Sequence, residues 1–386
     1  MPRAATFGLF YLAVFLQAGA YGLTFMLPRL FATFDANEKI VGAMLLITTL
    51  ATLVSVSFSG HLSDWFGRVG TLAMACLSIA AGLALFGRAG GVGPALVMAS
   101  VLLGAGWGLT YALAPIVLTR LVAGHERVRA FALLTVFVMA GFGFAPVIAA
   151  RIEAAGGTIA QAFYLTAGLC FASAVIFGVL IGPVRRHAVN PGPEARSRLS
   201  IATIGAVLRS PARLPVFMVF LGASVFAGLN NFQTVFADDR GLSYADFFLV
   251  YTLTVIACRI GLVRFSGGAR PYLTIAGLQF FMVASVLLFL VSGSSQVAYV
   301  AVAILFGIGY GASYPILAAM AANDAEPEIV PQTLQLFALT YFVGIFGFPL
   351  IAGWLIVEVG TPALLSVVAG LAGIEAGLAL RRGLRG

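Results

Sequence analysis

The sequence predicts an all-α integral membrane protein, with twelve transmembrane helices in two pseudo-symmetric six-helix bundles. Three observations predict it. Charged residues are 9% of the 386 and hydrophobic residues 61%, with a mean hydropathy of +1.04, whereas a soluble domain is about one quarter charged. The apolar residues lie in twelve long continuous runs, where barrel strands would show short alternating segments. Finally, motifs of the first half return in the second at a nearly constant offset.

Taken in order, the runs cover roughly 6–31, 40–61, 70–88, 94–120, 130–152 and 159–182 in the first half, spans 1 to 6. Span 1 is too long for a signal-peptide core and has the wrong flanks, so it is kept as a helix. Spans 2 and 3 are joined by "GHLSDWFGRVG" at 60–70, which holds a His, an Asp, an Arg and three of the first half's Gly. The pattern then breaks. "PVRRHAVNPGPEARSRLSIATIGAVLRSP" at 183–211 carries five Arg, one Glu and four Pro, and reads as a polar linker with a short surface helix around 199–209. Spans 7 to 12 follow at roughly 212–236, 245–264, 272–292, 296–321, 331–356 and 361–380. The expected organisation is a bundle over 1–182, a cytoplasmic linker over 183–211 and a bundle over 212–386.

Charge orients the chain. If the N-terminus is cytoplasmic, 17 of the 22 basic residues fall inside, among them Arg68, Arg120, Arg185, Arg186, Arg270, Arg381 and Arg382. Arg29, Lys39, Arg88, Arg151 and Arg240 fall outside. This is a positive-inside distribution, so both termini are expected in the cytoplasm and the net charge of +8 reflects topology, with no nucleic-acid partner. The membrane is read as the plasma membrane, the inner membrane of a bacterium. Cys76, Cys170 and Cys258 lie within apolar runs without metal-ligand spacing and read as small buried hydrophobes. No metal or cofactor is expected.

The repeat is specific. "GAGWGLTY" at 104–111 matches "GIGYGASY" at 307–314, an offset of 203. "FGFAPVIAA" at 142–150 matches "FGFPLIAG" at 346–353: Phe142 to Phe346 is 204, and Pro146 to Pro349 is 203. Because six is even, both halves start on the same side. Parallel repeats with a substrate site near the midplane are an architecture of secondary transporters.

Twelve spans, a basic central linker and the 60–70 loop together resemble the major facilitator superfamily. Gly60, Leu62, Ser63, Asp64, Gly67 and Arg68 match the family loop between its second and third spans. Trp65 and Val69 depart from it, where basic residues are usual. Gly141, Ala145, Pro146, Ala149 and Ala150 occupy the places of a span-five G-x-x-x-G-P-x-x-G-G pattern typical of exporters, with three Gly replaced by Ala. The close-packing role survives and the exporter label weakens; Gly347 and Pro349 belong to the corresponding stretch of span 11. The Arg-x-x-Gln-Gly of proton-coupled drug exporters is absent at Leu102–Gly106. The resemblance implies that spans 1, 4, 7 and 10 line the pathway. It also implies that Asp64 and Arg68 hold the cytoplasmic sides of the halves together; because a helix start favours an anion, the start of span 11 near Pro331 to Thr333 is a candidate partner of Asp64. Arg270 in "RFSGGARP" mirrors Arg68, while Ser266 stands where an Asp would.

Candidate substrate contacts are polar or aromatic groups inside the spans. Gln17 and Tyr21, Trp107 and Tyr111, and Tyr310 and Tyr314 are i,i+4 pairs, each on one helix face; Asn230 and Asn231 lie in span 7. Aromatics with a polar tip suit a mixed organic ligand, and helix–helix packing is the competing use. Arg259 lies inside span 8, where an Arg marks function by default. It either binds an anionic group in the cavity or snorkels to the cytoplasmic interface. Asp246 and Glu375 are expected at span ends, in interfacial water. With Asp64 they are the few candidates for proton coupling.

No P-loop is present and Lys39 is the only Lys, so ATP-driven transport and catalysis are not expected. The reading is a monomeric secondary transporter for a small organic solute, an organic anion on the Arg259 argument, with or without a coupling proton or other ion. The lipid bilayer is its surrounding partner. An exporter of hydrophobic compounds is the rival within transport. A non-transporting sensor or assembly factor, working through a surface such as the linker, is the rival from another class.

Overall fold

The computed structural model describes residues 1–122, 127–188, 201–262 and 270–385, without the side chains of 127–129 and 201. His125, Arg196, Arg198, Arg264 and Ser266 therefore lie outside the described residues. No strand occurs among those described. Among the described residues twelve helices are long and apolar enough to cross a bilayer: Arg3–Ala32, Glu38–Phe66, Arg68–Arg88, Pro94–Leu121, Ala130–Ala154 and Ile159–Arg186, then Arg213–Asn230, Tyr244–Leu262, Pro271–Val291, Gln296–Asn323, Pro327–Glu358 and Thr361–Gly383. These are spans 1 to 12.

Local chemistry sets several ends. Thr158 opens span 6 with a capping box, its backbone N–H donating to Gln161 Oε1 at 3.2 Å. Pro94, Pro271 and Pro362 start spans 4, 9 and 12, where the missing N–H has no helical partner to lose. The helices of spans 2 and 3 are separated only by Gly67, at φ 72° and ψ 155°, a conformation that L side chains rarely adopt.

Three spans are not uniform α-helices. Span 1 passes through a 3₁₀ turn at Leu23–Met26 before Leu27–Ala32. The run expected as one helix over 212–236 ends its α-helix at Asn230, and a separate helix, Gln233–Arg240, follows. Span 11 contains a π-helical segment, Val343–Gly347, just before Pro349. A nine-residue helix at the chain's middle, Ile201–Arg209, occupies the expected surface-helix region.

The chain divides into two compact units, Met1–Gly192 and Pro193–Gly386. In the first, span 3 packs on spans 4 and 6, span 4 on span 2, and span 1 on spans 5 and 6. In the second, span 9 packs on spans 10 and 12, span 10 on span 8, and span 7 on spans 11 and 12. The pairing is the same, helix for helix.

Glycines at the repeat explain why. A Cβ on Gly104 would stand 2.3 Å from the Thr48 carbonyl oxygen in span 2. On Gly106 it would stand 2.4 Å from that of Ala75 in span 3, and on Gly108 2.6 Å from Ser55 Oγ in span 2. In the second unit Gly307 meets Thr254 of span 8 at 2.7 Å, Gly309 meets Met282 of span 9 at 2.4 Å, and Gly311 meets Val255 of span 8 at 3.1 Å. Each G-x-G-x-G thus seats a span between two neighbours at backbone distance, the packing that lipid-immersed helices depend on. Outward faces are apolar: Leu50, Val54 and Phe58 on span 2 and Phe171, Val175 and Val179 on span 6 form exposed stripes, suited to acyl chains.

Candidate functional site

In the first unit Tyr21 stacks on Trp107, with ring centroids 5.3 Å apart and planes 22° off parallel. Phe142 of span 5 closes the group, 4.5 Å from Tyr21 and 5.3 Å from Trp107. Half-buried Tyr111 follows at 6.4 Å from Trp107. Three of the expected residues are therefore brought together, and Phe142 joins them. Gln17 is buried one turn before Tyr21, and its Oε1 has no hydrogen-bond partner among the described residues.

The second unit has a matching stack. Phe226 of span 7 lies on Tyr310 at 4.4 Å and 26°. The Tyr310 hydroxyl is 3.0 Å from that of Tyr341 in span 11, whose ring packs edge-on to Tyr314 at 5.0 Å. Sequence reasoning missed Tyr341 and Phe226, because a lone aromatic in an apolar run carries no distinguishing pattern. Asn230 and Asn231 are buried at the end of the span 7 helix. Their Nδ2 groups donate to the Phe226 and Ala227 carbonyls at 2.9 and 3.1 Å, so each amide bonds back onto its own helix; the Ala227 carbonyl also accepts the Asn231 backbone N–H at 3.1 Å.

Arg259 sits in the last turn of span 8 and is only 5% exposed. A cation suits that position, because the helix dipole is negative at its C-terminus. The guanidinium lies within electrostatic reach of Tyr310, and its Nε has no hydrogen-bond partner among the described residues.

Glu375 departs from expectation. The sequence predicts a span end in interfacial water, yet the residue is fully buried. The physical reason is reach: six residues separate it from Arg381, about 9 Å along a helix, more than a Glu side chain can span. Its Oε1 accepts from Gln279 Nε2 of span 9 at 2.8 Å, and its Oε2 is unpartnered. A small cavity with room for about one water reaches it, lined also by Gly222, Tyr310, Ser313, Tyr314 and Tyr341. Glu375 is the only charged residue in the run 361–380. Asp246 is exposed, as expected of an interfacial group, and accepts from Gln296 Nε2 at 2.9 Å.

At the joint, Asp64 is exposed in the last turn of the span 2 helix, and half-buried Arg68 opens span 3. Each opposes the dipole of its own helix. Gly60 is exposed, with open space where a Cβ would be, as it is at Gly67. Of the packing residues, Gly141 closes on span 1, with a Cβ 2.6 Å from both Ala18 Cβ and the Phe15 carbonyl. Gly22 approaches Phe142 and Ala145 in the same way. Pro146 lies inside span 5. In span 11 the close approach is made by Gly344, 2.8 Å from Ala223 and the Phe220 carbonyl, whereas Gly347 meets only Val343 at 3.9 Å. Gly344 is 203 residues after Gly141, the offset of the other repeat motifs.

The comparisons agree with this architecture. The sequence model of the Major Facilitator Superfamily matches residues 9–349. A crystal structure of the human organic anion transporter MFSD10 (TETRAN) is 16% identical with TM-score 0.70, covering 98% of this chain and 100% of that one. A point variant of the nucleoside transporter NupG is 14% identical with TM-score 0.74, covering 97% and 99%. A point variant of the peptide transporter POT is 18% identical with TM-score 0.77, covering 99% and 94%. Identities this low carry the fold alone. No curated protein sequence matches. With twelve spans, paired six-helix units and a family match over most of its length, the chain belongs to the Major Facilitator Superfamily of multi-pass membrane transporters.

Proposed function

We propose that this protein is a secondary transporter that moves a small organic anion across the plasma membrane, the inner membrane of a bacterium, by alternating access. One observation carries the reading: Arg259, buried in span 8 with an unbonded Nε and within electrostatic reach of Tyr310. A buried guanidinium is costly in a membrane protein and is kept where it meets charge, and its planar fork fits a carboxylate or phosphate. The similar human protein described as an organic anion transporter points the same way. On this reading Gln17, Tyr21, Trp107, Tyr111, Asn230, Asn231, Tyr310 and Tyr314 contribute the wall that meets the organic part of the solute. Asp64 and Arg68, with Gly60 and Gly67, form the cytoplasmic latch. Their placement against their own helix dipoles supports a role other than helix stability.

The test is a thermal-shift screen of the purified chain with carboxylates, phosphate esters and lipophilic cations, because a ligand of the folded state raises its apparent stability. Anions are expected to shift the wild type. Arg259→Ala should weaken their binding at least about tenfold, as loss of a charge-assisted hydrogen bond implies, and Arg259→Lys should recover only part. A screen dominated by lipophilic cations and indifferent to Arg259→Ala would replace this reading with an exporter of hydrophobic compounds.

A further inference from the structure

Glu375 has no part in the reading above, and the site around it is built. The carboxyl is fully buried in span 12. Gly222 of span 7 gives it room: a Cβ there would stand 3.1 and 3.2 Å from its two oxygens. Oε1 accepts from Gln279 Nε2, while Oε2 is unpartnered in a cavity that Tyr310, Ser313 and Tyr341 also line.

The other unit shows that helix packing does not call for a carboxyl here. Cys76 is 203 residues before Gln279, the repeat offset, and it faces span 6 as Gln279 faces span 12. Cys76 Sγ is 3.4 Å from Ser173 Oγ, which donates to the Ala13 carbonyl at 2.8 Å. Spans 3, 6 and 1 are thus joined by small neutral groups where spans 9, 12 and 7 enclose an acid.

We propose that Glu375 is a proton-binding site whose loading and unloading is coupled to the transport cycle, an inference that rests on the transporter reading and names its coupling ion. Spans 7, 9 and 11 pack on span 12. The first two present Gly222 and Gln279 to the carboxyl. The titratable groups of the cavity are Tyr310, Tyr314 and Tyr341, with Arg259 of span 8 in electrostatic reach of Tyr310. No cation lines it among the described residues, so nothing in contact offsets the burial of a carboxylate and the neutral acid is the form this arrangement holds. Gln279 serves both forms, because its amide offers Nε2 as donor to the carboxylate or Oε1 as acceptor for the acid O–H. In unloading, the Glu375 O–H bond breaks and its proton passes to a water entering the cavity, leaving the carboxylate. Loading is the reverse.

The experiment uses the full chain in lipid, with protons as the only probe. Infrared difference spectra across a pH series should show a protonated-carboxyl band in the wild type that is absent from Glu375→Gln. A pH jump across proteoliposomes on a solid support should give a charge movement that Glu375→Gln loses. Glu375→Ser, which matches the neutral chemistry of the first unit, should lose both and guards against a folding defect in the amide variant. A wild type without the band, a band that survives Glu375→Gln, or a charge movement unchanged in both variants would overturn the proposal. Both readouts need no organic anion. An intact charge movement in a protein that ignores every anion would therefore sink the Arg259 reading and leave this one standing.

Discussion

Gly104 and Gly307, 203 residues apart, show what single residues contribute. Each lies where a methyl group would enter the neighbouring helix, 2.3 Å from the Thr48 carbonyl and 2.7 Å from Thr254 Cβ. The first contact is with backbone, which cannot turn aside as a side chain can. Gly104→Ala is therefore expected to destabilise by about 1–3 kcal/mol, the usual cost of overpacking, read as a lower melting temperature in detergent. Gly168→Ala is the control, since its site is exposed with open space around it, and it should be neutral or slightly stabilising through helix propensity. Gly67→Ala differs from both: there is space for the methyl, but φ of 72° with ψ of 155° is a conformation held essentially by Gly, which should cost about 1–3 kcal/mol.

At the scale of elements, the end of the span 7 helix shows both what the sequence reveals and what it conceals. Hydropathy marked 212–236 as continuous, and only "NN" at 230–231 broke it. Hydropathy cannot register that these amides turn back onto the Phe226 and Ala227 carbonyls, which gives their own N–H groups partners inside the membrane. Asn230→Ala should cost about 1 kcal/mol, the net worth of one such bond, and Asn230→Ala with Asn231→Ala more than either alone. The same blindness applied to Glu375, whose burial depends on which face of span 12 meets spans 7 and 9. Patterns repeated in the chain were legible: the twelve spans, and the paired glycines of spans 4 and 10. Features that exist once, such as Tyr341 against Tyr310 or the π-helical Val343–Gly347, were not. Gly344 lies between these cases, because the 203-residue offset from Gly141 pointed to it while the local resemblance drew attention to Gly347.

For the molecule as a whole, the distribution of charge argues for one orientation, and that orientation can be tested. Of 22 basic residues, 17 fall on the side of the two termini if the spans alternate, and Lys and Arg near span ends set topology by their retention in the cytoplasm. Because each unit holds six spans, both begin from that side, so the loops between spans 3 and 4 and between spans 9 and 10 should share the opposite face. Cys76 and Cys170 are buried and only Cys258 is partly open, so replacing it by Ser leaves a quiet background for single-cysteine labelling. In intact cells a membrane-impermeant maleimide is expected to modify Gly91→Cys and Ser294→Cys. It should modify His187→Cys, at the end of span 6, only after permeabilisation. The inverse pattern would turn the protein over and place Arg259 at the external face. A split result, with Gly91→Cys labelled and Ser294→Cys protected, would contradict the parallel repeat itself, because two units that pack their helices in the same order would then enter the membrane in opposite senses.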